Sequence, residues 1–159
     1  VQFPNVILIH SLTKHYAIPG IRIGYMTAYE ALLREIRLQR MPWSVNSLAI
    51  EAGFYAIEEK LQPTIDIPLY LKEKERLEKA LLSTEMMEIW HSDTHFMLIR
   101  LRYGKASALK DYLANEHGIL IRDASNFEGL DEHFFRIATQ TPEENDQLVK
   151  AIQQWISSI

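Results

Sequence analysis

An α/β chain that closes in a small α+β domain is predicted by three stretches of the sequence. Residues 6–9, Val-Ile-Leu-Ile, are apolar at four successive positions, the pattern of a strand covered on both faces. The segment LYLKEKERLEKALLS, residues 69–83, is dense in straight-chain helix formers. Beyond it, short alternating runs and helical spacings follow one another closely, which suits a small sheet with helices on one face. The predicted organisation is therefore residues 1–62 as the end of a large α/β layer, 63–84 as a connecting helix, and 85–159 as a complete small domain.

Each element has a local reason. Pro19-Gly20 marks a turn, and residues 21–27 read as a second strand. Residues 30–38 form a short helix that ends before Pro42. Ser44 is placed to cap the next helix, over 45–60, whose Leu48, Ala49, Ala52, Phe54, Tyr55 and Ile57 predict a broad buried face. Pro63 and Pro68 interrupt the pattern, and Pro68 is tolerated only in the first turn of the helix that follows.

Residues 87–90 and 95–102 read as strands, with Phe96, Leu98 and Arg100 sharing one face. A helix over 106–116 places Leu109, Tyr112 and Leu113 on one side and stops at Gly118. Strands are expected at 119–122 and 134–138. Thr141-Pro142-x-Glu144 is a capping box with proline at the first helical position, and Leu148, Ile152, Trp155, Ile156 and Ile159 recur at helical spacing behind it.

Composition narrows the function classes. With 47% hydrophobic and 24% charged residues the chain is globular, and its 159 residues suffice for one domain plus part of another. A net charge of −4 argues against a surface made for nucleic acid or anionic membrane. There is no cysteine, which excludes a disulfide scaffold and fits a cytoplasmic protein. Residues 1–4 do not read as a signal peptide. The chain opens one step before a core-like strand, so it reads as the C-terminal piece of something longer. His91, Asp93 and His95 have a metal-like spacing, but WHSDTHF reads as a solvated turn, and no metal site is expected.

The chemically richest stretch is HSLTKHYAIPGIRIGY, residues 10–25. A lysine at the end of a buried strand is desolvated, which favours its neutral, nucleophilic amine. Ser11 and Thr13 precede Lys14, and Arg22 follows it by eight positions. Hydroxyls and a guanidinium suit a phosphate dianion, and an amine beside a phosphate site is what pyridoxal 5'-phosphate requires. The spacing alone equally describes a polar turn with Lys14 in water and Arg22 in a salt bridge. The S-x-x-K pattern of serine acylases is also met, but Pro19-Gly20 forbids the long helix it needs and its partner motifs do not occur.

The whole block resembles the lysine segment of fold-type-I pyridoxal-phosphate enzymes, the class I/II aminotransferase superfamily. MPWSVNSLA (41–49) and the run from Ile119 to Ile152 are similar to its L-threonine-O-3-phosphate decarboxylase branch, with the histidinol-phosphate aminotransferases as the neighbouring branch. The resemblance implies that Lys14 joins the cofactor pyridoxal 5'-phosphate through an imine and moves protons. It makes Ser11 and Arg22 ligands of the cofactor phosphate, with Thr13 beside them. Arg136 becomes the clamp for a substrate carboxylate or phosphate, and Arg122 takes the other anion. His10 stands where many members carry arginine. The implied substrate is a small phosphorylated amino acid, and the implied full-length enzyme is a homodimer. Neither nucleic acid nor membrane is implied as a partner. A histidinol-phosphate-type aminotransferase and a non-catalytic α+β binding or assembly module are the alternatives.

Overall fold

The computed structural model describes residues 2–59, 61 and 66–158. Lys60, the 62–63 boundary and Ile159 therefore lie outside the described residues. The chain divides into two compact units, residues 1–65 and 66–159.

In the first unit, β1 (Ile7–Ser11) pairs antiparallel with β2 (Gly24–Ala28), Ile9 opposite Met26 and Ser11 opposite Gly24. Between them lies the single helical turn α1 (Leu12–His15), and α2 (Glu30–Gln39) and α3 (Ser47–Glu58) follow. The unit's small interior is built from Leu12, Thr13, Ala49, Gly53 and Ala56. Gly53 permits the close approach, since a Cβ there would stand 2.9 Å from Ile23 Cδ1.

Four expectations change here. The apolar run at β1 is not covered: Ile7 and Leu8 are exposed and Ile9 is 79% exposed, because a two-stranded ribbon has no neighbouring layer within the unit. The second strand begins at Gly24, not residue 21, because Arg22 takes a left-handed conformation with φ 59° that breaks the extended run. Ser44 does not cap α3. Asn46 does, its Oδ1 accepting from the Ala49 amide at 2.8 Å, while Ser44 Oγ accepts from Arg40 Nε at 2.8 Å. The broad buried face expected on α3 shrinks to its small residues, with Leu48, Phe54, Tyr55 and Ile57 exposed.

The second unit follows its local signals closely. It contains α4 (Ile67–Leu82), β3 (Met87–Trp90), β4 (Phe96–Leu101), α5 (Ala106–His117), β5 (Arg122–Asp123), β6 (Phe134–Ala138) and α6 (Pro142–Ser158). The sheet runs β3-β4-β6-β5 and every pairing is antiparallel. Met97, Ile99, Leu101, Phe135 and Ile137 alternate onto one face. There they join Leu77 and Leu81 of α4, Leu109 and Leu113 of α5, and Leu148, Ile152 and Trp155 of α6 in a single core. The opposite face carries Phe96, Leu98, Arg100 and Arg136, each half-buried.

Gly118 ends α5 in the left-handed conformation, φ 66°. The capping box forms as read: Thr141 Oγ1 accepts from the Glu144 amide at 3.3 Å, and Glu144 Oε2 accepts from the Thr141 amide at 3.1 Å. One strand is shorter than expected. Only Arg122 and Asp123 pair with β6, and residues 119–121 peel away from it.

Helix α4 packs within this unit, and its polar side chains grip the loops at the sheet's end. Tyr70 Oη donates to Thr139 O, and the buried Lys74 donates to Ser92 O. Buried Asn145 donates to Glu73 Oε1 at 2.9 Å and to Gln140 O at 3.1 Å, and accepts from the Gln140 amide at 3.0 Å. Arg76 holds Glu73 and Asp146 at 2.8 and 2.7 Å.

The Arg76 guanidinium, and secondarily Asn145, keep the Glu73 carboxyl below its ordinary range, while partial burial opposes them. Its contribution to stability is thus complete above the unfolded-state value of about 4.3 and is lost as pH falls through the lower folded-state value. Glu73→Gln is expected to flatten the acid limb of a stability–pH profile measured by denaturant melts between pH 3 and 6, roughly. An unchanged limb would remove Glu73 from the account.

Candidate functional site

Ser11, Thr13 and Lys14 lie on one turn. Ser11 ends β1 and sits at the N-cap of α1, yet its hydroxyl makes no cap bond and so remains available to another acceptor or donor. Lys14, on the same turn, is exposed, against the desolvation expected of it. A solvated one-turn helix, not the end of a covered strand, is where the chain puts it. Among the described residues, the Lys14 amine has no hydrogen-bond or ion-pair partner.

Thr13 is 7% exposed and its hydroxyl is fully committed. It donates to Ile23 O at 3.0 Å and accepts from the Ile23 amide at 3.0 Å, while the Thr13 amide donates to the same carbonyl at 3.1 Å. This three-bond clasp ties the segment around Arg22 to α1. Arg22 itself is held in the left-handed region, at a cost of about 1–3 kcal/mol for a non-glycine residue. Its Nη1 donates weakly to Pro19 O at 3.4 Å. The guanidinium faces solvent on a backbone held in this conformation by a buried threonine. Thr13→Val keeps the shape and removes both hydroxyl bonds. It is expected to cost the chain about 1–3 kcal/mol in a urea melt, whereas Thr13→Ser should retain most of the stability. Equal losses in the two variants would mean that the clasp is not the cause.

The second unit holds the other predicted pair. Arg122 and Arg136 stand directly opposite one another on β5 and β6. Like charges facing across a rung are unfavourable, and among the described residues neither guanidinium pairs with a carboxylate. Arg136 lies over the Phe96 ring, 4.5 Å from its centroid. Arg122 lies 5.4 Å from the Phe127 centroid and its Nη2 donates to Asn126 Oδ1 at 3.0 Å. Both arginines line a cavity of about 450 Å³, opened where residues 119–121 leave the sheet. Phe96, Gln140 and Asn145 line it as well.

The acid nearest Arg122 in sequence makes no ion pair with it, though the two charges still attract. Asp123 Oδ1 accepts from the Ser125 amide at 2.9 Å, and that bond chiefly keeps the Asp123 carboxyl below its usual range. Of the histidines with metal-like spacing, His91 is exposed with its Nε2 3.2 Å from Asp93 Oδ1, while His95 is half-buried against the Tyr70 and Phe96 rings. Sequence reasoning passed over Asn126, Phe127 and Asn145. The first two sit in the RDASNF block; a buried asparagine inside α6, where propensity is poor, was the available signal for the third.

Comparison with known proteins follows the same elements. Residues 2–152 match the family Aminotransferase class I and II. The threonine-phosphate decarboxylase of Salmonella typhimurium is 31% identical over 157 residues, 98% of this chain and 43% of that protein. The histidinol-phosphate aminotransferase of Thermoanaerobacter pseudethanolicus is 31% identical over 156 residues, 96% of this chain and 42% of that protein. The crystal structure of L-threonine-O-3-phosphate decarboxylase from Porphyromonas gingivalis superposes with a TM-score of 0.90 at 37% identity, covering 98% of this chain and 48% of that one. The chain thus spans less than half the length of the relatives it matches. A match over nearly all its described elements, from the strand before Lys14 to the helix after Arg136, makes this chain a member of the class I and II aminotransferase family.

Proposed function

We infer that the full-length protein is a pyridoxal 5'-phosphate-dependent decarboxylase of L-threonine O-3-phosphate, forming aminopropanol phosphate for corrinoid assembly. The observation that carries this reading is the Arg122–Arg136 rung: two guanidiniums, neither ion-paired with a carboxylate among the described residues, facing one another beside a cavity. A substrate bearing both a carboxylate and a phosphate relieves that repulsion at both ends. Arg136 takes the carboxylate and Arg122 the phosphate.

The residues of the first unit fit the cofactor chemically: an exposed amine without a partner among the described residues, a hydroxyl that makes no cap bond and a strained, solvent-facing guanidinium. Bound there, pyridoxal 5'-phosphate supplies an electron-withdrawing ring that accepts the electron pair released at the substrate Cα. Lys14 is the amine that carries the cofactor and returns a proton to Cα. Ser11 and Arg22 bind the cofactor phosphate, and Thr13 keeps Arg22 in place through its clasp. A phosphorylated substrate and product, both charged and retained by membranes, fit a cytoplasmic enzyme. The exposed Trp43 and Leu48 fit a homodimer of the full-length protein. The 159 residues alone span less than half of the relatives' length and are expected to be inactive.

The second reading is an aminotransferase of the histidinol-phosphate type, favoured by the equal identity to the Thermoanaerobacter enzyme. Product analysis separates the two. The full-length protein, given O-phospho-L-threonine and pyridoxal 5'-phosphate without a keto acid, should release carbon dioxide in proportion to substrate consumed. Amino-group transfer that requires an added keto acid, with no carbon dioxide, would overturn the decarboxylase assignment.

A further inference from the structure

Among the described residues, five of the nine arginines lie near no carboxylate, and of these Arg122 alone has both a side-chain hydrogen bond and an aromatic face against its guanidinium. Arg37, Arg76, Arg100 and Arg102 each lie within 4.0 Å of a carboxylate. Arg122 instead is held on one side by the amide oxygen of Asn126, at 3.0 Å, and on the other by the face of Phe127. A carboxylate would orient a guanidinium and cancel its charge together. A neutral amide and an aromatic face orient it and leave the charge intact.

The loop that supplies these two groups is itself firmly built. The Ala124 amide donates to Phe134 O at 2.9 Å, the Phe127 amide to Ala124 O at 3.0 Å and the Leu130 amide to Phe127 O at 3.1 Å. Asp123, the one acid adjacent in sequence, is occupied by the Ser125 amide of the same loop. The loop therefore presents an acceptor to Arg122 and commits its own carboxylate to the Ser125 amide, with no ion pair to Arg122 although the two charges still attract. We propose that Asn126 and Phe127 are positioning residues: they aim Arg122 at the substrate phosphate as a preorganised, unneutralised cation, and so set the preference for a phosphorylated over an unphosphorylated amino acid.

The proposal rests on the substrate reading given above, and its test separates the two. The protein is the full-length enzyme loaded with pyridoxal 5'-phosphate. The probes are O-phospho-L-threonine and L-threonine, with dissociation constants taken from the change in cofactor absorbance on binding. Wild-type enzyme should prefer the phosphorylated ligand. Asn126→Ala should lower that preference by about tenfold, because the guanidinium loses its orientation. Phe127→Leu should lower it by about threefold, the worth of a cation–π contact at an exposed site.

Asn126→Asp is the decisive variant. It preserves the acceptor oxygen and pairs strongly with Arg122, so the loop is retained, but it neutralises the cation. The preference should fall further than in Asn126→Ala, by about thirtyfold or more. A merely structural Asn126 would tolerate aspartate and would affect both ligands equally. If Asn126→Asp retains the wild-type preference, or Asn126→Ala weakens both ligands alike, the positioning role is overturned. Arg122→Ala is the control for the substrate reading. An unchanged preference in that variant would remove Arg122 from phosphate binding and take the present proposal with it. A lost preference in Arg122→Ala beside a retained one in Asn126→Asp would overturn only the role of Asn126.

Discussion

Lys14→Ala in the full-length enzyme is expected to abolish the absorption band that pyridoxal 5'-phosphate acquires on joining a protein amine, and with it turnover. The amine sits on the α1 turn, exposed and, among the described residues, without a competing partner. It is therefore available to an aldehyde carbon, and no neighbouring carboxylate holds it as an ion pair. Two functions disappear together in the variant. The covalent anchor is lost, and so is the group that moves the proton at Cα, a step worth about 10²–10⁴-fold by itself. Lys14→Arg keeps a cation at the position but cannot form the imine, and should fare no better. The assay is a spectral titration with cofactor beside a single-turnover rate. A variant that keeps both the band and the rate would end the assignment of Lys14, whatever the fate of the arginines. Added methylamine should restore part of the rate in Lys14→Ala, because a free amine can take over the proton transfer; Lys14→Arg has no room for that rescue.

The second large effect is on stability. Phe135→Ala is expected to cost about 3–5 kcal/mol, the usual loss for a truncated core aromatic. That is a large fraction of the ~5–15 kcal/mol that holds a domain together. Phe135 is fully buried, on the central strand β6, opposite Ile99 of β4 and Asp123 of β5. Its ring belongs to the core that α4, α5 and α6 share with the sheet. A urea melt of the 159-residue chain should show the loss directly, and native-state proteolysis should cut the second unit first. Trp43→Ala is the contrasting variant: at 95% exposure it removes little packing and should change stability by less than about 0.5 kcal/mol. A small effect at Phe135 would mean that the second unit's stability lies outside its sheet–helix interface.

Phe135 and Arg136 are adjacent in sequence and face opposite sides of the sheet. The alternation that buries the one presents the other, so the packing and the proposed anion site are built by the same strand. This is why core truncation at β6 should also disturb substrate binding, and why the kinetic tests of Asn126 and Arg122 need the stability of each variant measured alongside.

Much of this was legible in the sequence. The capping box at Thr141 and Glu144, the left-handed stop at Gly118 and the alternation of Phe96–Leu101 depend on neighbours within one turn or one pleat, and each formed as read. The lysine block and the two arginines were legible as residue types in a spacing. What the sequence could not carry was the identity of the surface lying opposite. The apolar run at β1 encodes a strand fit for burial, but Ile9 is exposed because no second layer lies beside it within its unit. Ser44 gave way to Asn46 because α3 begins at Ser47, which puts Asn46 and not Ser44 at the capping position. The shortening of β5, the cavity it opens and the meeting of Arg122 with Arg136 depend on a register set between segments well apart in sequence. By itself, then, the sequence determined the local elements and the chemical groups this protein can offer. Only tertiary structure decided which groups meet across segments: Glu73 finds Arg76 within its own helix, but the facing of Arg122 and Arg136 depends on strands brought together by folding.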